Sequence, residues 1–135
     1  MPTVRGLHAL AEARAKAFFG AAPPVLVFGT VPPDESSRGA AYLIIDPDPG
    51  FDMVARADGR VSSRRGRFHV RACGSTATQA AFALDKARDA FLNWWPYEGR
   101  RYGMARETEA DPLTVDRSVP TDIRYVFGLT YEVDD

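Results

Sequence analysis

Ile123-Arg-Tyr-Val-Phe-Gly-Leu-Thr-Tyr-Glu-Val133 decides how this chain is read. Ile123, Tyr125, Phe127, Leu129, Tyr131 and Val133 alternate with Arg124, Val126, Gly128, Thr130 and Glu132, the period of two expected of a strand with one face in a core. A strand this regular should sit centrally in a sheet. Its partner is Arg67-Phe-His-Val-Arg-Ala-Cys73, where Phe68, Val70 and Ala72 point one way and Arg67, His69 and Arg71 the other. Further strands are read at Val25 to Phe28 and Ala41 to Ile45, and a short one at Met104 to Glu109.

Two helices complete the pattern. Val4, Leu7, Ala11, Ala15 and Phe18 recur at helical spacing, Glu12 and Lys16 are placed for an i,i+4 pair, and Gly20 is a stop. Thr76-Ala-Thr-Gln79 has the form of a capping box and opens a second helix, from about Ala77 to Trp94. Ala80, Leu84, Ala87 and Phe91 share one face of it, and Asp85, Lys86, Asp89 and Asn93 lie opposite with Phe82 in their midst. The polar stretch from Asp46 to Gly66, punctuated by Pro47, Pro49, Gly50 and Gly59, reads as a long flexible loop. The order α-β-β-β-α-β-β predicts an α+β fold, a mostly antiparallel four- to five-stranded sheet with two helices packed on one face. At 135 residues, positions 1–135 are expected to form a single domain.

Composition narrows the function classes. The chain has 20 alanines, and Leu, Ile, Val and Phe sum to 30 of 135 residues, so the core is thin and association with other copies is favoured. Arg5, Glu12, Arg14 and Lys16 interrupt any leader-like apolar run, so the expectation is a soluble chain not exported by that route and not crossing a membrane. One cysteine, Cys73, and two histidines, His8 and His69, argue against disulfides and an ordinary zinc site. His69 and Cys73 are four apart on a strand, hence about 13 Å from each other, too far to act as a pair. The carboxylates Asp46, Asp48 and Asp52 lack the glycine and glutamate positions of a calcium loop and read as a solvated turn. With no nucleophile elbow or phosphate-binding loop either, no catalytic, cofactor-binding or metal-binding residue is expected, and the chain is read as a non-enzyme without cofactor.

Charge is distributed unevenly beneath a net value of −1. Residues 56–71 hold Arg56, Arg60, Arg64, Arg65, Arg67 and Arg71 against Asp58 alone, while residues 107–135 hold eight acids against Arg117 and Arg124. Such asymmetry suits head-to-tail contacts between copies, or a basic loop meeting an acidic partner or DNA. Interface candidates are therefore Arg56, Arg60, Arg64, Arg65 and Arg67, with Phe82, whose ring otherwise leaves apolar area in water.

Several segments together resemble the tail terminator proteins of long-tailed, siphovirus-type bacteriophages. They are Asp58-Gly-Arg-Val-Ser-Ser-Arg64, Phe68-His-Val70, Cys73-Gly-Ser-Thr76 leading into Gln79-Ala80, Asp85-Lys-Ala-Arg88, the helix end Trp94-Trp-Pro96, and Asp111-Pro112 with Asp116 before the last strand. The resemblance implies a ring, a hexamer, that caps the tail tube, terminates its polymerisation and offers the surface for head-to-tail joining. Implied partners are the major tail tube protein and a head-completion or connector protein, with DNA passing through the lumen without specific binding. The implied location is the head–tail junction of the virion, after assembly in the host cytoplasm. The second reading is a small monomeric or dimeric binding module, another connector or minor virion protein or a nucleic-acid binder, that uses the arginine-rich loop.

Overall fold

The computed structural model describes residues 3–29, 40–55, 61–97 and 103–133; of residues 51–55 and 61–64 only the backbone path is described. The elements are α1 (Val4–Phe19), β1 (Leu26–Phe28), β2 (Ala41–Ala55), β3 (Val61–Gly74), α2 (Ala77–Phe91), β4 (Arg106–Asp116) and β5 (Arg124–Val133). They form one five-stranded sheet in the order β1-β2-β3-β5-β4. The expected α+β fold is present, with β5 between β3 and β4 as its alternation requires. The sheet is mixed, because β1 runs parallel to β2 while the other neighbours are antiparallel.

Both helices cover one face of this sheet. Thr3 and Thr76 cap them, each hydroxyl accepting the backbone N–H three residues on, at 3.1 Å. α1 buries Leu7, Ala11 and Ala15, and α2 buries Ala80, Ala83, Ala87, Ala90 and Phe91. Val4 and Phe18, at the two ends of the expected stripe on α1, are exposed. Against these helices the strands present Leu43, Ile45, Phe68, Val70, Ala72, Leu129, Tyr131 and Val133. Alanine lets helix and sheet backbones approach closely, and the aromatic residues then fill the wider end. There Phe68 stacks on Tyr131 at 5.2 Å and meets Phe91 at 5.2 Å and Trp94 at 6.0 Å. Two side chains tie the layers together, His8 Nε2 to the Ile45 carbonyl at 2.8 Å and the Arg14 Nε–H, which donates to the Ala90 carbonyl at 2.8 Å. The second contact satisfies one of the carbonyls that the last turn of α2 leaves without an intrahelical donor.

Three boundaries differ from the sequence expectation. α2 ends at Phe91 rather than Trp94, since Asn93 turns the chain with φ 55°, a left-handed conformation that asparagine tolerates. The last strand before β5 runs over Arg106–Asp116 instead of Met104 to Glu109. The largest correction concerns the stretch read as a loop from Asp46 to Gly66. Residues 46–55 and 61–66 instead extend β2 and β3 into a long antiparallel hairpin, with register shifts between Asp48 and Phe51 and again before Ala55. Gly50 sits at the first shift with φ 67°, its N–H donating to Asp48 Oδ1 at 2.8 Å, and a β-carbon there would strike the Arg65 carbonyl. Whether residues 56–60 are flexible falls outside the described residues.

The two long hairpins point in opposite directions. β5 pairs with β3 from Gly66 opposite Val133 to Gly74 opposite Tyr125, so the β2–β3 hairpin extends past one end of β5. The β4–β5 turn lies at the other end.

Candidate functional site

Side chains opposite each other on neighbouring strands share a face, and on the helix-free face the register assembles a continuous polar lattice. Asp46 stands across from His69, Asp48 from Arg67, Arg67 from Glu132 and His69 from Thr130. The Arg71 guanidinium donates twice to Asp46, at 2.6 and 3.0 Å. His69 bridges Asp48 Oδ2 at 2.6 Å and Thr130 Oγ1 at 3.0 Å. Glu132, only 7% exposed, receives Arg67 at 2.8 Å and Arg65 at 3.3 Å, with Arg106 at 4.0 Å. Farther along, Arg124 meets the Tyr42 hydroxyl at 3.1 Å and the Asp116 carboxylate at 3.4 Å. Beside it Tyr42, Ile44 and Cys73 form a small second apolar cluster with Phe28 and Val126.

These contacts change how the charge split reads. The basic and acidic segments, distant in sequence, are neighbours in the sheet as β3, β5 and β4, and a good part of their opposed charge is neutralised within one chain. Of the interface candidates, Arg65 and Arg67 hold Glu132, and Arg64 lies on β3. Arg56 and Arg60 lie outside the described residues. The aspartates expected in a solvated turn are on β2, with Asp46 in an ion pair with Arg71 and Asp48 in contact with His69.

The lattice ties β2, β3, β5 and β4 together through side chains. Thr130, His69 and Asp48 follow one another as nucleophile, base and acid would, with Thr130 5% exposed. Burial pushes the Asp48 carboxyl up, yet the Gly50 N–H, the His69 contact and nearby Arg67 outweigh it and hold Asp48 below the usual range. Among the described residues no group of three or more His, Cys, Asp or Glu could hold a metal ion, and no helix is long and apolar enough to cross a membrane.

Cys73 is buried at the end of β3, and burial pushes its thiol up to about 11, the neighbouring Arg71 countering only in part. The raised value means that folding favours the protonated thiol. That contribution is complete below the ordinary value of 9.0 and fades as pH rises through about 11. Native protein at pH 8 is therefore expected to resist a thiol-alkylating reagent and to label fully in denaturant. Rapid native labelling would show that the β3 end opens.

On the other side of the molecule Phe82 is 40% exposed, with Lys86 Nζ 5.4 Å from its ring centre and Thr78 and Gln79 beside it in a shallow depression. The helical projection thus places it correctly on the solvent side of α2. The signal that sequence reasoning missed is the carboxylate Glu132, which gathers three arginines. Its place on the polar side of an alternating strand, directly across from a run of arginines, was the available clue.

No family model and no curated protein sequence matches the chain. Among solved structures, one chain of the virion of a native gene transfer agent particle matches over 100% of both chains, with a TM-score of 0.62 and 18% identity. A sheath/tube terminator of an extracellular contractile injection system, in its extended state, matches all of this chain and 57% of its own, with a TM-score of 0.41 and 10% identity. The first likeness is one of fold.

Proposed function

We propose that this chain is a virion assembly protein of the tail terminator type, a ring, hexameric by the sequence resemblance, that caps a tail tube and carries the head-joining surface. The observation that carries the reading is the end-to-end likeness of fold to a component of a gene transfer agent virion. The turn and helix-end segments quoted from the sequence add to it independently. The neutralised lattice on the helix-free face suits a protein that lets DNA pass without gripping it, since each of its arginines already has a carboxylate within reach. In this reading the chain belongs at the head–tail junction of a particle, and its partners are the tube protein and a connector.

Electron microscopy of concentrated protein, alone and mixed with tail tubes, tests the proposal. Rings or capped tube ends are the expected result. Persistent monomers that neither close into rings nor bind tubes would leave the small binding module as the better account.

Phe82 supplies a second check. Phe82→Asp is expected to weaken ring formation or tube capping at least tenfold while leaving the melting temperature within about 2 °C, because the side chain stands outside the core. A large fall in melting temperature, or unimpaired assembly, would remove Phe82 from the interface.

A further inference from the structure

The sheet's edge strand β4 carries two complementary features, one at each end. Where it begins, a groove of about 440 Å³ opens between the end of α2 and the strand, floored by Phe91, Leu92, Met104, Ala105 and Tyr131. Leu92 is 66% exposed, since the left-handed turn at Asn93 throws it outward while Trp94 returns to the core. Arg88 and Glu107, paired at 2.9 Å, form the rim with Arg106. Where β4 ends, the tip of the β4–β5 hairpin carries Leu113, Val115 and Val119, which are 37%, 40% and 37% exposed and belong to neither apolar cluster.

We propose that the hairpin tip of one copy seats in the α2–β4 groove of the next, so that this pair of features is the contact between neighbouring subunits. The inference rests on the ring reading above and specifies its contact. The groove rim at Glu107 and the tip residue Leu113 are six residues apart on one extended strand, about 20 Å at ~3.3 Å per residue, so a tip cannot reach its own groove. Two different patches on one chain make a heterologous contact, which repeats from copy to copy and closes into a ring when the rotation allows. Charge agrees in sign: Arg88 and Arg106 outnumber Glu107 at the rim, and Asp111, Asp116 and Asp122 outnumber Arg117 and Arg124 at the tip, with Arg88, Arg106 and Arg124 already paired within the chain, so apolar burial supplies most of the contact. Seating of the tip in the groove is favoured over a flat pairing of two β4 edges, because Pro112 and the register shifts between Glu107 and Glu109 and between Asp111 and Thr114 interrupt the edge.

The test is disulfide trapping with full-length chains at high concentration, in which buried Cys73 stays silent. Leu92→Cys and Leu113→Cys proteins, each alone, are expected to give little linked product under mild oxidant. Mixing them should raise linked dimer at least tenfold, and the double variant should give a ladder ending at a closed species. Val115→Asp should lower self-association at least tenfold with an unchanged circular dichroism spectrum. Linkage of either single variant to itself, as strong as in the mixture, would mean a two-fold contact and overturn the proposal. Rings visible by microscopy without the Leu92–Leu113 linkage would also overturn it, with the ring reading intact. Neither rings nor linkage would overturn both.

Discussion

Phe68→Ala is expected to cost about 3–5 kcal/mol, a large share of the ~5–15 kcal/mol that holds a typical domain folded. Phe68 is fully buried at the middle of the sheet, where rings from β5, α2 and the α2 end converge on it at 5.2 to 6.0 Å. The alanines around the rest of the core have no long side chains to move into the space, so the cavity would persist. Urea denaturation followed by tryptophan fluorescence measures the loss directly, since Trp94 reports on the same cluster. A loss under about 1 kcal/mol would mean that the aromatic end of the core collapses freely and is not the anchor described.

Glu132→Ala is expected to be the next most disruptive change, for electrostatic reasons. Breaking a fully buried pair costs roughly 3–5 kcal/mol, but these arginines keep part of their hydration, with side chains 23%, 31% and 48% exposed for Arg65, Arg67 and Arg106. A discounted value of about 2 kcal/mol is appropriate. Losing the carboxylate leaves three cations in one row across β3 and β4, so salt should restore part of the stability by screening their repulsion. Glu132→Gln, which keeps size and an acceptor oxygen, separates charge from packing. It should gain affinity for a DNA duplex at low salt as the arginines lose their carboxylate. A Glu132→Gln protein that melts like the parent and ignores DNA would mean that the lattice is not held by this carboxylate.

Much of this architecture was legible in particular residues, and the failures have physical causes. Thr76 and Gln79 announce the start of α2, and the alternation from Tyr125 to Val133 announces β5. The extension of β2 was hidden by Pro47, Pro49 and Gly50, which ordinarily signal a turn. They are accommodated because β1 pairs with β2 only as far as Ile44, so beyond it β2 is an edge among the described residues, where a missing donor is tolerated. β4 was obscured by its exposure along nearly its whole length, which removes the apolar alternation that marks a strand. The charge split was visible as composition, but its meaning depended on register, which brings Glu132 across from both Arg67 and Arg106.

The alanine surface of α2 has a consequence for how the gene can vary. Single-nucleotide changes in an alanine codon yield valine, threonine, serine, glycine, proline, aspartate or glutamate. At Ala80, Ala83, Ala87 and Ala90, all fully buried, the first two overfill a closed gap and the last three break the helix or bury a charge. Only serine and glycine keep the size, and each weakens the helix somewhat. Genetic drift in this segment therefore has few exits, and variation between related chains should concentrate on the hairpins and the solvent side of the helices.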